Sequence, residues 1–214
     1  MERPSLVWVQ CETILEDTIM KMFKKLMAVA LAGVLALAVL TGCGSSLNEK
    51  EIINILNDAA KSPMAKSALA GAGVTADVTT FKAADAELNG KAKAVAGIVE
   101  ENIGEKDTIE SIFQNKDKRV AITKALIGED KSDKNLYLVS YATKVKYDSK
   151  FMNTMKDALD IAEVYSNMNK GVAACGMTEG FKTTGDAWVA FKDVNVNGNT
   201  YTIVVMKAAT KAAK

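Results

Sequence analysis

The apolar positions of this chain fall into three regimes. Leu26 to Leu40 is an unbroken run of fifteen residues without a charge. From Ile52 the spacing turns helical. Ile52, Ile53, Leu56, Ala59 and Ala60 form one stripe, because residues three and four apart share a helix face. Further on the spacing alternates. Tyr137, Val139, Tyr141, Thr143, Val145 and Tyr147 share one side of a strand over Leu136–Tyr147, since successive side chains of a strand point to opposite faces.

These regimes predict an order of elements. Asn48-Glu49-Lys50-Glu51 reads as a capping box opening the first helix, with Leu47 and Ile52 at staple positions. Ser62-Pro63 restarts a second short helix, which Gly71 and Gly73 end. Val74–Phe81 is β-branched and predicts a strand. Ala83–Ile103 is Ala-rich and helical in character, closed by Gly104. Gly90 and Gly97 weaken it by about 1 kcal/mol each relative to Ala, leaving room for a break at Asn89-Gly90. Asp107-Thr108-Ile109-Glu110 opens a short helix to Gln114. Lys118–Ile127 reads both ways: Val120, Ile122 and Leu126 suit a strand, while Val120, Thr123 and Ile127 suit a helix stopped by Gly128.

Asp148-Ser149 then caps a helix over Lys150–Lys170, with Met152, Met155, Leu159, Ala162, Tyr165 and Met168 as its stripe. Residues 171–187 carry four glycines and read as loop. Asn197-Gly198 turns a hairpin of Ala187–Val196 and Asn199–Met206, because a type I′ turn needs positive φ at both central positions. A two-residue turn sets Val194 against Tyr201, Lys192 against Ile203 and Ala190 against Val205. Phe191 with Val204 and Val189 with Met206 line the other surface, so the hairpin is apolar on both faces and suits a covered sheet. The Lys/Ala-rich end, residues 208–214, reads as a frayed tail.

The apolar run changes the picture most. Lys21, Lys24 and Lys25 precede it, and Leu40-Thr41-Gly42-Cys43 closes it. A basic start, an apolar middle and a small-residue exit make an export signal. The run is shorter than the about 20 residues a membrane span needs, and Gly42 to Ser46 end it with turn-formers. This stretch resembles a bacterial lipoprotein signal peptide, and the tetrad matches the lipobox at all four positions. The resemblance covers residues 21–43 and extends to no part of the body. It implies cleavage after Gly42, diacylglycerol on Cys43 and a new N-terminus there. It also implies a protein tethered to the outer face of the bacterial cytoplasmic membrane, or to the outer membrane where there are two.

The resulting organisation is a signal over residues 22–42, a lipidated tether over 43–48 and one domain over 49–207. Residues 1–21 carry Glu2, Glu12, Glu16 and Asp17, which do not suit a basic n-region. They read as an extension upstream of a true start at Met20 or Met22, or as an extended n-region that is cleaved away.

Removing residues 1–42 leaves about 170 residues, enough for one domain. The formal net charge of +1 survives that removal and gives no electrostatic case for nucleic acid. The mature part keeps Cys43 and Cys175. With Cys43 lipidated, no intramolecular disulfide remains, and the body must be held by its core.

There are no histidines, which removes Ser-His-Asp and Cys-His catalysis and His-ligated zinc. No phosphate loop of the Gly-Lys-Ser/Thr type is present, and no cofactor is implied. Asp193-Val194-Asn195-Val196-Asn197-Gly198 imitates half a calcium loop, but its twelfth position is Val204 where a bidentate Glu belongs. Strand alternation into an Asn-Gly turn explains the same residues. Cys175 would need a positive field to be a nucleophile, and a buried inert thiol is the plainer reading. Glu100-Glu101, Glu129-Asp130 and Asp157 with Asp160 are carboxylate groupings that solvated faces also produce. Tyr137, Tyr141 and Tyr147 could line a ligand face, and a core face under a helix explains them as well.

The expected fold is a single α+β domain: N-terminal helices, then a small, mainly antiparallel sheet with a crossing helix and a C-terminal hairpin. The expected role is a membrane-tethered lipoprotein that binds a partner or ligand or serves a structural purpose. Two alternatives stand beside it: an envelope hydrolase or transferase using carboxylates or Cys175, and a small solute-binding receptor.

Overall fold

The Asn197-Gly198 turn sets the frame of the molecule. Both residues take positive φ, 49° and 83°, as the type I′ turn requires. In the computed structural model, which describes residues 49–61, 80–145, 158–159, 163–164, 167, 170–177 and 181–212, six strands form one mixed sheet. They are β1 (Thr80–Ala83), β2 (Leu136–Val145), β3 (Ala158–Leu159), β4 (Val172–Cys175), β5 (Phe181–Val196) and β6 (Asn199–Ala212). The helices among the described residues are α1 (Glu49–Lys61), α2 (Ala86–Glu100), α3 (Ile109–Gln114) and α4 (Lys116–Ile127). The strand order is β1-β5-β6-β2, and β3 and β4 share the far edge of β2. Only β1 runs parallel to its partner, β5. The fold is α+β: β1 lies between α1 and α2, and the antiparallel strands follow α4.

The hairpin register is the one the turn length dictates: Val194 faces Tyr201, Lys192 faces Ile203 and Ala190 faces Val205. Pleating then sorts the side chains. Tyr137, Val139, Tyr141, Ile203, Val205, Ala190 and Val194 join one core with Leu88, Val95 and Val99 of α2, Ile112 and Phe113 of α3, and Ile122 and Leu126 of α4. Each large side chain so buried stabilises by roughly 1.5–3 kcal/mol. The other face is also covered: Leu136, Leu138, Ala142, Val189, Val204 and Met206 are buried.

The helices begin and end on local signals. Asp85 caps α2 by accepting from Leu88 N at 2.7 Å. Helix α2 then runs through Gly90 and Gly97 without a break and ends at Glu100, with Glu101 as its C-cap, before Gly104. Thr108 and Ser111 form the capping box of α3. Asn115 caps α4, accepting from Asp117 N and Lys118 N, and Gly128 ends it. The ambiguous stretch Lys118–Ile127 is therefore helix. Val120 is 48% exposed while Ile122 is buried, so they lie on different faces, against the strand reading. Apolar Ile52, Ile53 and Leu56 of α1 are buried as the stripe predicts.

Three expectations need correction. The helix read over Lys150–Lys170 is interrupted: Ala158 and Leu159 form β3, paired with Val145 and Lys144. Helical conformation is described at Glu163, Val164 and Asn167. The open edge of β2 supplies hydrogen-bond partners there, and tertiary pairing overrides helix propensity. The glycine-rich stretch 171–187 holds β4 and the start of β5, with Gly185 inside a bulge between Thr183 and Ala187. Residues 208–212, read as tail, continue β6 opposite β5. The strand read over Val74–Phe81 is described only from Thr80, and it runs on to Ala83. Residues 62–79, including the second short helix, lie outside the described residues, as do Tyr147 and residues 1–48.

Candidate functional site

Charged side chains converge at one end of the helix-covered sheet face, where α2 begins and the loop after α4 returns. Asp133, in that loop, is the hub. It accepts from Lys91 Nζ at 2.9 Å, from the Tyr137 hydroxyl at 2.5 Å, and from Asn135 N and Nδ2 at 2.9 and 2.8 Å. Burial opposes its charge, but the bonds from Lys91, Tyr137 and Asn135 outweigh that, and the carboxyl is held below its ordinary value. Tyr137 responds in the opposite sense. Burial, then the Asp133 carboxylate it donates to, push its phenol far above the ordinary value.

Lys91 does more than pair with Asp133. It lies 4.8 Å from the centre of the Tyr137 ring and donates to Leu126 O at the C-terminal end of α4. Lys118 of α4 returns the favour, donating to Ile98 O and Glu101 O at the end of α2. Neither α2 nor α3 has a basic residue in its own last turn. Arg119 supplies α3, donating to Phe113 O at 3.2 Å and to Gly171 O at 2.8 Å. Cations at helix C-termini are favoured by the unpaired carbonyls there, and here they come from neighbouring helices.

Glu87 extends the network, 3.6 Å from Lys91 and 3.7 Å from Lys207. Lys207 also reaches Asp85 at 3.3 Å and lies 5.7 Å from the centre of the half-buried Trp188 ring. The Leu88 N–H holds the Asp85 carboxyl below its ordinary value; burial opposes this, and Lys207 adds to the lowering. Lys82 lies 5.5 Å from the same Trp188 ring and 2.7 Å from Asp186.

The residues singled out from the sequence fall in different places. Tyr137 and Tyr141 are buried in the core under the helices, so they form no open ligand face; Tyr147 lies outside the described residues. Burial, then Glu110 and Glu163, push the Tyr141 phenol up to about 12. Cys43 and Gly42 lie outside the described residues. Cys175 is buried, and that burial raises its thiol. Its sulfur donates to Lys134 O at 3.6 Å and accepts from Met177 N at 3.5 Å.

In the carboxylate groupings, Glu100, Glu129 and Asp130 each have a partner of their own. Glu100 accepts from Asn195 N at 3.0 Å, and Glu129 pairs with Lys124 at 3.1 Å. Asp130 accepts from Ser132 N at 3.1 Å. Asp157 and Asp160 lie outside the described residues. The calcium-like segment is spent on the hairpin. Asp193 pairs with Lys144 and Thr202, and Asn195 accepts from Gly198 N at 3.0 Å. Asn197 donates to the carbonyls of Gly104, Glu105 and Asp107.

Sequence reading missed Lys91, Asp133 and Lys207. For Lys207 a signal existed: one step beyond the Val189–Met206 pair sets Lys207 opposite Trp188 on the core-facing side. Chemically the cluster is a clamp. Its carboxylates and lysines pair with one another, and its phenol stays protonated at neutral pH. Among the described residues no group of three or more His, Cys, Asp or Glu is placed to hold a metal, and no helix is long and apolar enough to cross a membrane. No family model, curated protein or solved structure matches the chain.

Proposed function

We propose that this chain is a lipid-anchored envelope protein whose α+β body serves a non-enzymatic binding or structural role. In this reading Cys43 carries diacylglycerol after cleavage behind Gly42. The membrane is its first partner, at the outer face of the cytoplasmic membrane or at the outer membrane. The observation that carries the proposal is Leu40-Thr41-Gly42-Cys43 closing an apolar run behind Lys21, Lys24 and Lys25. One acyl chain holds a protein only marginally, whereas two anchor it stably.

The non-enzymatic part rests on chemistry. The chain has no histidine. The Cys175 thiol and Tyr137 phenol are both pushed toward their protonated forms, which suits neither a nucleophile nor a base.

Metabolic labelling with a clickable fatty acid tests the anchor. The expected result is label on the wild-type chain and none on Cys43→Ala, with the N-terminal peptide of the mature protein starting at a diacylglyceryl-modified Cys43. A wild-type chain that takes up no label sinks the reading.

A further inference from the structure

The two margins of the sheet differ. Along β2, strand β4 pairs with Leu136–Val139 and β3 with Lys144–Val145. Between them Asn167 donates to Tyr141 O at 3.2 Å, and Glu163 accepts from Thr143 N at 2.8 Å. So β2 has partners on that side at both ends and at Tyr141 and Thr143. At β1 the described closure is a single side chain from a helix. Asn57 of α1 donates Nδ2 to Phe81 O at 2.9 Å and accepts from Phe81 N at 2.7 Å. Among the described residues no strand lies beyond β1.

The Asn57 amide thus makes the two bonds that an antiparallel neighbour would make, because a hydrogen-bonded pair of residues exchanges both N–H···O bonds. The Phe81 of a second copy, related by a twofold axis, offers that same donor and acceptor. Such a pairing is isologous. It would set Phe81 against Phe81, an aromatic pair of the favourable kind, and Lys82 against Thr80, so that like charges do not meet.

We propose that β1 is a self-complementary edge held closed by α1, with a second copy of this chain as its partner. Asn57 occupies the place of the twofold mate's Phe81. Release of α1 lets two copies join through β1 into one continuous sheet. Helix α1 is suited to this, since it packs against β1 and eighteen residues, 62–79, separate the two elements.

The test uses the full chain, purified in detergent and sized by analytical ultracentrifugation. Wild type is expected to be monomeric. Asn57→Ala removes both bonds and is expected to strengthen association on the order of tenfold. Asn57→Asp keeps the acceptor, loses the donor and falls between the two. On the Asn57→Ala background, Thr80→Cys with Lys82→Cys is expected to cross-link between copies. The proposal is overturned if wild type dimerises as strongly as Asn57→Ala, or if the dimer fails to cross-link at these positions. It is also overturned if Asn57→Ala stays monomeric with its helical circular dichroism intact. Should Asn57→Ala lose its fold, a folded and monomeric Asn57→Asp overturns it equally.

Discussion

Asp133 shows how one residue in a turn holds several elements. Its carboxylate joins α2 through Lys91 and β2 through Tyr137, and its backbone carbonyl accepts from Gly176 N at 3.1 Å. Asp133→Asn keeps the shape but removes the charge that Lys91 faces. We expect a loss of about 2 kcal/mol, read by urea unfolding at pH 7. The pH dependence has a definite sign. The folded carboxyl lies below its ordinary value of 3.8. Its stabilisation is therefore complete above that range and is lost as pH falls through the folded value. Wild type should lose stability more steeply than Asp133→Asn on acidification below about pH 4; parallel curves would remove Asp133 from the account. Gly176 belongs to the same junction. A Cβ there would fall inside contact distance of the Asp133 and Lys131 carbonyl oxygens. Gly176→Ala must push the loop off β4, and we expect a loss of about 2–4 kcal/mol, seen as a lowered thermal midpoint.

At the scale of elements, α2 and α4 exchange caps, each sending a lysine to the other's C-terminal carbonyls. Lys118→Met should cost about 1 kcal/mol, with faster hydrogen exchange at the end of α2; unchanged exchange there would count against the cap. Gly90 and Gly97 offer the opposite result. Both are exposed on α2, and an added Cβ meets nothing within 4 Å. Gly90→Ala and Gly97→Ala should each stabilise by about 0.5–1 kcal/mol. What could be read along the chain was whatever is written within a few residues. The Thr108 and Asp107 signals placed α3, and Asn197-Gly198 placed the hairpin and its register. Lys91 and Lys118 could not be read that way. Their partners lie 35 and 20 residues away, and nothing local marks a lysine as another helix's cap. The two-residue β3 is hidden for a related reason: Ala158-Leu159 has no strand pattern and is extended only because β2 leaves groups to pair. Tyr137 was legible as a core-facing residue, but not as the donor to Asp133.

At the scale of the molecule, the end of β6 is the sharpest divergence between pattern and fold. Lys207-Ala-Ala-Thr-Lys-Ala-Ala has the composition of a weak helix or a tail, yet β6 lies between β5 and β2. Sheet pairing on both sides overrides so weak a preference. Ala208 is buried opposite Leu136 on one side and Ala187 on the other. Lys207 ties the strand to α2 through Asp85 and Glu87, and Thr210 ties it to the Asp133 loop by donating to Lys134 O. A chain cut after Met206 loses all three links. It also leaves the first half of β5 without its antiparallel partner, beside the segment Asp186–Val189 that holds β1. The damage should spread across the sheet. We expect a loss of more than about 5 kcal/mol, comparable to the whole stability of many domains. The cut chain should then show no cooperative urea transition by circular dichroism. If it unfolds cooperatively within about 1 kcal/mol of wild type, the end of β6 is dispensable and the domain stops where the apolar alternation does.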